Sequence, residues 1–194
     1  MPTSPARAAA FDILLRVERE SSYASELLHA KQQHKLSTQD HALTTELVMG
    51  VLRWRSRLDD EIAKHSSQPL AKLDLEILIA IRLALYQLRW LNRIPPRAAI
   101  NESVELVKRA RKRSAATFVN AVLRKLSVCP SGESVVNDSS PQAISETSAH
   151  PLWLVERWVK HHGLEAARKI AAHDQSIPAT SLRLRTTQFA ILRV

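Results

Sequence analysis

Along residues 1–128 apolar side chains recur at intervals of three and four, the spacing that gathers them on one face of a helix. Ser4 followed by Pro5 marks a helix start with proline in the first turn, and Ala10, Phe11, Leu14 and Val17 carry the apolar set toward Glu20. A shorter helix is expected over Ala24 to Lys35. Ser37-Thr38-Gln39-Asp40 reads as a capping box, in which the Ser37 oxygen and the Asp40 carboxylate serve orphan amides. Behind it Leu43, Leu47, Val48, Val51 and Leu52 share a face, and a further helix carries Leu58 and Ile62. Gly50 is either a loosened turn or a close-packing contact. Asp74 to Trp90 is apolar all round, through Leu75, Leu78, Ile79, Leu85 and Tyr86, which predicts a helix at the centre of a bundle. Asn92 to Pro96 ends it. Pro96 opens the next helix, with Ile100, Val104 and Val107, and the last strong one runs near Ser114 to Leu126 with Phe118, Val122 and Leu123 inward. The sum is an all-α bundle of about seven helices.

The pattern then stops. From Ser127 to Ala149 there are seven serines, two prolines, one glycine and no Lys or Arg. Such a composition buries too little apolar area to offset its ordering, so residues 129–149 read as a linker. Beyond it, Pro151 to His162 is amphipathic and aromatic through Trp153, Leu154 and Trp158, Gly163 suits a helix end, and Leu164 to His173 gives a second short helix. Ser181-Leu182-Arg183-Leu184-Arg185 alternates with period two, as a strand does, although a lone strand has nothing to pair with. The expected organisation is a helical domain over residues 1–128, a linker over 129–149, and a helical and strand appendage over 150–194.

Composition supports a globular chain: 45% of the 194 residues are hydrophobic, enough for one core plus an appendage. Charge changes the picture more. Lys+Arg 28 against Asp+Glu 19 gives +9, and residues 1–128 hold 21 basic and 13 acidic side chains against 7 and 6 in the remainder. Lys108, Arg109, Arg111, Lys112, Arg113, Arg124 and Lys125 fall between Leu106 and Val128 with no acid among them, around an expected helix–helix corner. Arg53, Arg55 and Arg57 close the capped helix. Like charges so close repel unless something offsets them, and a polyphosphate does so while releasing its own condensed counterions. This nominates a nucleic acid; the plainer alternative is a solvated, solubilising face. Tyr23, with Arg16 nearby, is expected to pack, with base stacking as the alternative.

Other chemistry is narrowed by what is scarce. Gly50, Gly132 and Gly163 are too far apart for a phosphate-cradling loop. Cys129 is the only cysteine, which excludes an internal disulfide and any zinc site with two thiolates, and fits a reducing, cytoplasmic compartment. Eight histidines are scattered without an HExxH pattern, and the adjacent His161 and His162 diverge on a helix, so no metal and no cofactor is expected. No apolar run is long enough to span a bilayer, so no membrane partner is expected either. Asp59, Asp60 and Glu61 read as a solvated helical turn, and Trp54, Trp90, Trp153 and Trp158 as core or docking residues.

Several strings add a resemblance. Glu46-Leu47-Val48-Met49-Gly50-Val51-Leu52-Arg53, Leu58-Asp59, Arg82-Leu83-Ala84-Leu85-Tyr86-Gln87-Leu88, Arg93-Ile94-Pro95-Pro96, Asn101-Glu102-Ser103-Val104-Glu105-Leu106 and Phe118-Val119-Asn120-Ala121-Val122-Leu123-Arg124 occur in that order. Together they resemble the NusB-like domain, most closely its version at the amino end of the RsmB/Sun family of ribosomal RNA small-subunit cytosine-C5 methyltransferases. His150-Pro151-Leu152-Trp153-Leu154-Val155 and Leu182-Arg183-Leu184 are similar to the segment that joins that domain to the catalytic part. The resemblance implies an all-helical RNA-binding bundle, related to a transcription antitermination factor that binds RNA with a ribosomal-protein partner. It also implies that Arg7, at the start of the first helix, inherits an RNA contact. Charge alone nominates Lys108, Arg109, Arg111, Lys112 and Arg113, with Arg53, Arg55 and Arg124 extending the surface.

Methyl transfer in that family needs an S-adenosylmethionine-binding domain and two cysteines, in Pro-Cys and Thr-Cys contexts, of which these residues hold neither. Cys129 is expected to lack a positioned neighbour and to be no nucleophile. Thr186 to Val194 departs from the family pattern, as a shortened chain would. The expectation is therefore RNA binding without catalysis, with ribosomal RNA as the partner. The alternatives are an antitermination-type adaptor that binds RNA and a ribosomal protein, and an interaction domain whose tryptophan-bearing tail seeks a catalytic domain.

Overall fold

A computed structural model describes residues 3–30, 35–129 and 140–176. Among them are ten α-helices and no strand: α1 (Pro5–Glu20), α2 (Ala24–His29), α3 (Thr38–Arg53), α4 (Arg55–His65), α5 (Leu75–Trp90), α6 (Pro96–Arg109), α7 (Ala116–Val128), α8 (Pro141–Ser148), α9 (Leu152–His162) and α10 (Leu164–Gln175). The all-α class holds, with α1 to α7 as the bundle. The strand expected at Ser181 to Arg185 lies outside the described residues.

Helix α5 is the axis of the bundle. Ile77 and every residue from Ile79 to Gln87 are buried, as its all-round apolarity predicts. Around it lie Phe11 and Leu14 of α1, Leu47 and Val48 of α3, Leu58 and Ile62 of α4, Leu106 of α6, and Val119, Leu123 and Leu126 of α7. Gly50 resolves as a close-packing contact. A Cβ there would lie 2.0 Å from Tyr86 Cζ, so α3 meets the tyrosine ring with its bare backbone. That ring continues outward as a stack, Tyr86 on Trp90 at 5.3 Å and Trp90 on Trp54 at 4.9 Å between centroids.

Helix starts follow their signals. Ser4 Oγ accepts from Arg7 N at 3.4 Å, and Ser37 Oγ accepts from Asp40 N at 3.1 Å. The Asp40 carboxylate takes the Ser37 hydroxyl, at 2.8 Å. Helix α7 begins at Ala116, after a 3-10 turn over Arg113–Ala115.

Some expectations change. Asp59 and Glu61 are not a solvated turn: Asp59 grips Arg82 bidentately at 2.6 and 2.7 Å, Glu18 adds a contact to Arg82 at 3.2 Å, and Glu61 holds Arg89. Arg82 sits on the central helix with its side chain 4% exposed, so these carboxylates compensate a buried cation. Residues 141–148 fall inside the segment read as a linker, yet they form α8. Ser140 caps that helix by accepting from Ala143 N at 3.1 Å, Pro141 takes the first position, and Ile144 buries against Val155 and Ala171. One apolar residue, well capped, suffices when two neighbouring helices receive it. The Arg57 side chain donates to the Thr147 carbonyl at 3.3 Å and so ties α4 to this appendage. Tyr23, expected to pack, is 73% exposed, and Trp153 is 63% exposed, whereas Trp158 packs on the Ile144 cluster.

Candidate nucleic-acid interface

Helix α6 begins at Pro96, whose fixed φ and missing N–H suit a first helical position. It buries Ala99, Ile100, Ser103, Leu106 and Val107. Helix α7 buries Val119, Val122, Leu123 and Leu126. The remaining faces of these two helices bound a groove of about 780 Å³, whose lining includes Arg97, Asn101, Glu102, Lys108, Thr117 and Asn120. It runs on into a second hollow of about 540 Å³, where Arg97, Asn101 and Asn120 recur and Arg124 joins them. On either side of the α6–α7 corner, Lys108 and Ala116 belong to the lining.

Arg97, Asn101 and Asn120 were not nominated from sequence. The asparagines carried a signal, since asparagine is a weak helix former and both stand well inside helices. Among the described residues neither side-chain amide has a hydrogen-bond partner, and Arg97 has no ion pair. Each amide offers two donors and an acceptor, the complement of a nucleobase edge.

The nominated cations divide. Lys108 pairs with Glu105 at 2.7 Å, Arg109 with Asp12 at 2.7 Å, Lys112 with Asp74 at 2.8 Å, and Arg55 with Glu18 at 3.1 Å. The hydrogen bond from Lys108 holds the Glu105 carboxyl below its ordinary range, and that to Asp74 holds the Lys112 ammonium above its own. The basic corner is therefore partly neutralised by carboxylates from α1 and from the start of α5, which a count along the chain does not register. Arg53, Arg111, Arg113 and Arg124 are exposed and have no carboxylate at ion-pair distance among the described residues. Arg124 lines the hollow, while Arg53 and Arg55 stand at the α3–α4 junction and line neither space.

Arg7 is enclosed, its side chain 11% exposed. Its Nε donates to Gln87 Oε1 at 2.6 Å, and one terminal nitrogen reaches Ser4 Oγ at 3.1 Å and Glu102 Oε1 at 3.3 Å. It stands behind the groove wall rather than on it, since Glu102 lines the groove and Arg7 does not.

Cys129 has a neighbour that sequence did not indicate: its Sγ lies 3.4 Å from His65 Nε2, and His65 Nδ1 lies 3.0 Å from the Glu61 carbonyl. Among the described residues no group of three His, Cys, Asp or Glu could hold a metal ion. No described helix is long and apolar enough to cross a membrane.

The fold defines a helical bundle of the NusB type. It matches the crystal structure of antitermination factors NusB and NusE in complex with dsRNA with a TM-score of 0.58 and 26% identity, over 63% of this chain and 93% of that one. The solution structure of NusB from Aquifex aeolicus gives 0.54 and 25%, over 68% and 95%. Residues 4–127 match the NusB family, and the chain belongs to it.

Longer relatives are methyltransferases. The chain is 35% identical over 187 residues to a probable ribosomal RNA small subunit methyltransferase B of Bacillus subtilis, matching 95% of this chain and 41% of that protein. With ribosomal RNA small subunit methyltransferase B of Pseudomonas putida it shares 32% over 153 residues, 79% of this chain and 34% of the relative. The chain thus spans well under half the length of these relatives.

Proposed function

We propose that this chain binds single-stranded RNA along the α6–α7 groove, as the RNA-holding part of a ribosomal RNA small-subunit cytosine-C5 methyltransferase. The observation that carries the reading is the pair of amides, Asn101 and Asn120, which lines both adjoining hollows together with Arg97, with Arg124 in the second; among the described residues the amides have no hydrogen-bond partner and the arginines no ion pair. Arginines at the groove would neutralise phosphates, and the amides would take base edges that an unpaired strand leaves reachable. The exposed pairs at Lys108, Arg109 and Lys112 contribute little to stability, so a phosphate can displace their carboxylates at small cost. Methyl transfer at cytosine C5 needs a thiolate that adds to the ring and a bound S-adenosylmethionine. In this reading those belong to the rest of the longer relatives, and residues 1–194 position the RNA.

Filter binding of small-subunit ribosomal RNA fragments over a salt series tests the reading. Affinity should fall with salt, with a slope of about 0.7 per phosphate contact on single strands. No binding at low salt, or affinity indifferent to salt, contradicts it.

A second reading is favoured by the NusB relative solved with NusE as well as RNA. There the chain would be an antitermination-type adaptor for RNA and a ribosomal protein. RNA binding that requires an added ribosomal protein supports the adaptor; binding by the chain alone supports the first reading.

A further inference from the structure

The chain leaves α6 through a left-handed residue that is an arginine. At Arg111 φ is 61°. Its N–H donates to the Lys108 carbonyl at 3.0 Å, and the N–H of Lys112 reaches back to the Val107 carbonyl at 3.0 Å. This pair of bonds is the helix-ending turn whose left-handed position glycine fills without a Cβ penalty. The other non-glycine residues of positive φ among those described are Ser21 and Ala149, both small.

The Arg111 guanidinium gives the fold nothing visible in return. It is exposed, and its side chain makes no hydrogen bond, ion pair or ring contact among the described residues. Its neighbours Lys108, Arg109 and Lys112 each hold a carboxylate. A strained residue without an internal partner is the pattern of a position kept for a ligand. The place agrees in part: Lys108 on one side of this corner and Ala116 and Thr117 on the other line the groove, and Arg111 stands between them in the chain without lining it.

We infer that Arg111 is held out at the α6–α7 corner to take a phosphate of the bound RNA, and that the fold gives up stability at this residue to keep a guanidinium there. The inference rests on the RNA-binding reading and names one residue that tunes its affinity.

The test uses the full chain and three variants, with thermal unfolding and binding of a single-stranded oligoribonucleotide over a salt series as readouts. Arg111→Gly should raise the unfolding midpoint by about 2–4 °C by relieving the strain, and should lower the salt slope by about 0.7. Arg111→Ala keeps a Cβ in the left-handed region, so the midpoint should stay while the slope falls. Arg111→Lys should keep both midpoint and slope. If the unaltered chain binds RNA and Arg111→Gly binds with the same slope, the inference is overturned and the RNA-binding reading survives. A midpoint unchanged or lowered in Arg111→Gly overturns it equally. If the unaltered chain does not bind, the reading beneath it falls, and this falls with it.

Discussion

Arg7 and Glu102 are ion-paired at 3.3 Å across α1 and α6, and the same carboxylate accepts the Ser4 N–H at 2.8 Å. The pair clamps the first turn of the chain against the helix that forms one side of the groove. The arginine to which the resemblance assigns an RNA contact is thus held by partners inside the fold, Gln87, Ser4 and Glu102.

Arg7→Ala should therefore cost stability rather than a phosphate contact. It leaves the buried Gln87 amide oxygen without its donor and takes the cation from Glu102, which keeps only the Ser4 N–H among the described residues, a loss of about 1–3 kcal/mol. Denaturant unfolding reads that loss, and the salt slope of RNA binding should stay at the unaltered value. A slope reduced by a full phosphate contact would return Arg7 to the RNA surface.

Arg82→Ala should be among the most damaging substitutions, at about 3–5 kcal/mol, because it strands Asp59 beside the central helix and leaves Glu18 with Arg55 as its one remaining ion-pair partner among the described residues. Arg82→Met, which fills the space but removes the charge, should not recover this loss while both carboxylates remain. Chemical denaturation of the two variants checks both statements.

Gly50→Ala should destabilise by about 1–3 kcal/mol through overpacking against Tyr86. In a Tyr86→Ala background the same change should cost much less, because the ring it strikes is gone. A double-mutant cycle measures the coupling; additive effects would mean the contact at Gly50 is not what matters.

Tyr86 also sets an alkaline limit. Burial, then the hydrogen bond to Glu46 at 2.6 Å, pushes its phenol well above the ordinary 10.0. The folded state keeps the proton that the unfolded chain releases, so this stability is fully present below pH 10.0 and is lost as pH rises beyond it. The loss should approach about 1.4 kcal/mol per pH unit. Tyr86→Phe should flatten that part of the stability profile, and an unchanged profile would contradict the assignment.

What could be read from the chain follows from the range of each signal. Helix α5 was legible because burial on all sides leaves an apolar residue at nearly every position from Ile77 to Leu85. Helix α8 was not: serine-rich composition outweighed the Ser140-Pro141 start, and the helix rests on a single fully apolar anchor, Ile144. The basic corner was legible as charge along the chain but not as charge in space, since Asp12 and Asp74 approach it from other helices. Asn101 and Asn120 lay within strings already singled out, yet neutral amides add nothing to a count of cations. Only the facing of α6 and α7 brings them to one groove with Arg97 and Arg124.

The most direct measurement is the salt dependence of RNA binding by the unaltered chain and two double variants, Arg97→Ala with Arg124→Ala and Asn101→Ala with Asn120→Ala. Loss of two cations should lower the slope by about 1.4, whereas loss of two amides should weaken binding at every salt concentration with the slope unchanged, because amides release no counterions. Binding indifferent to salt, or both double variants binding like the unaltered chain, would contradict the account.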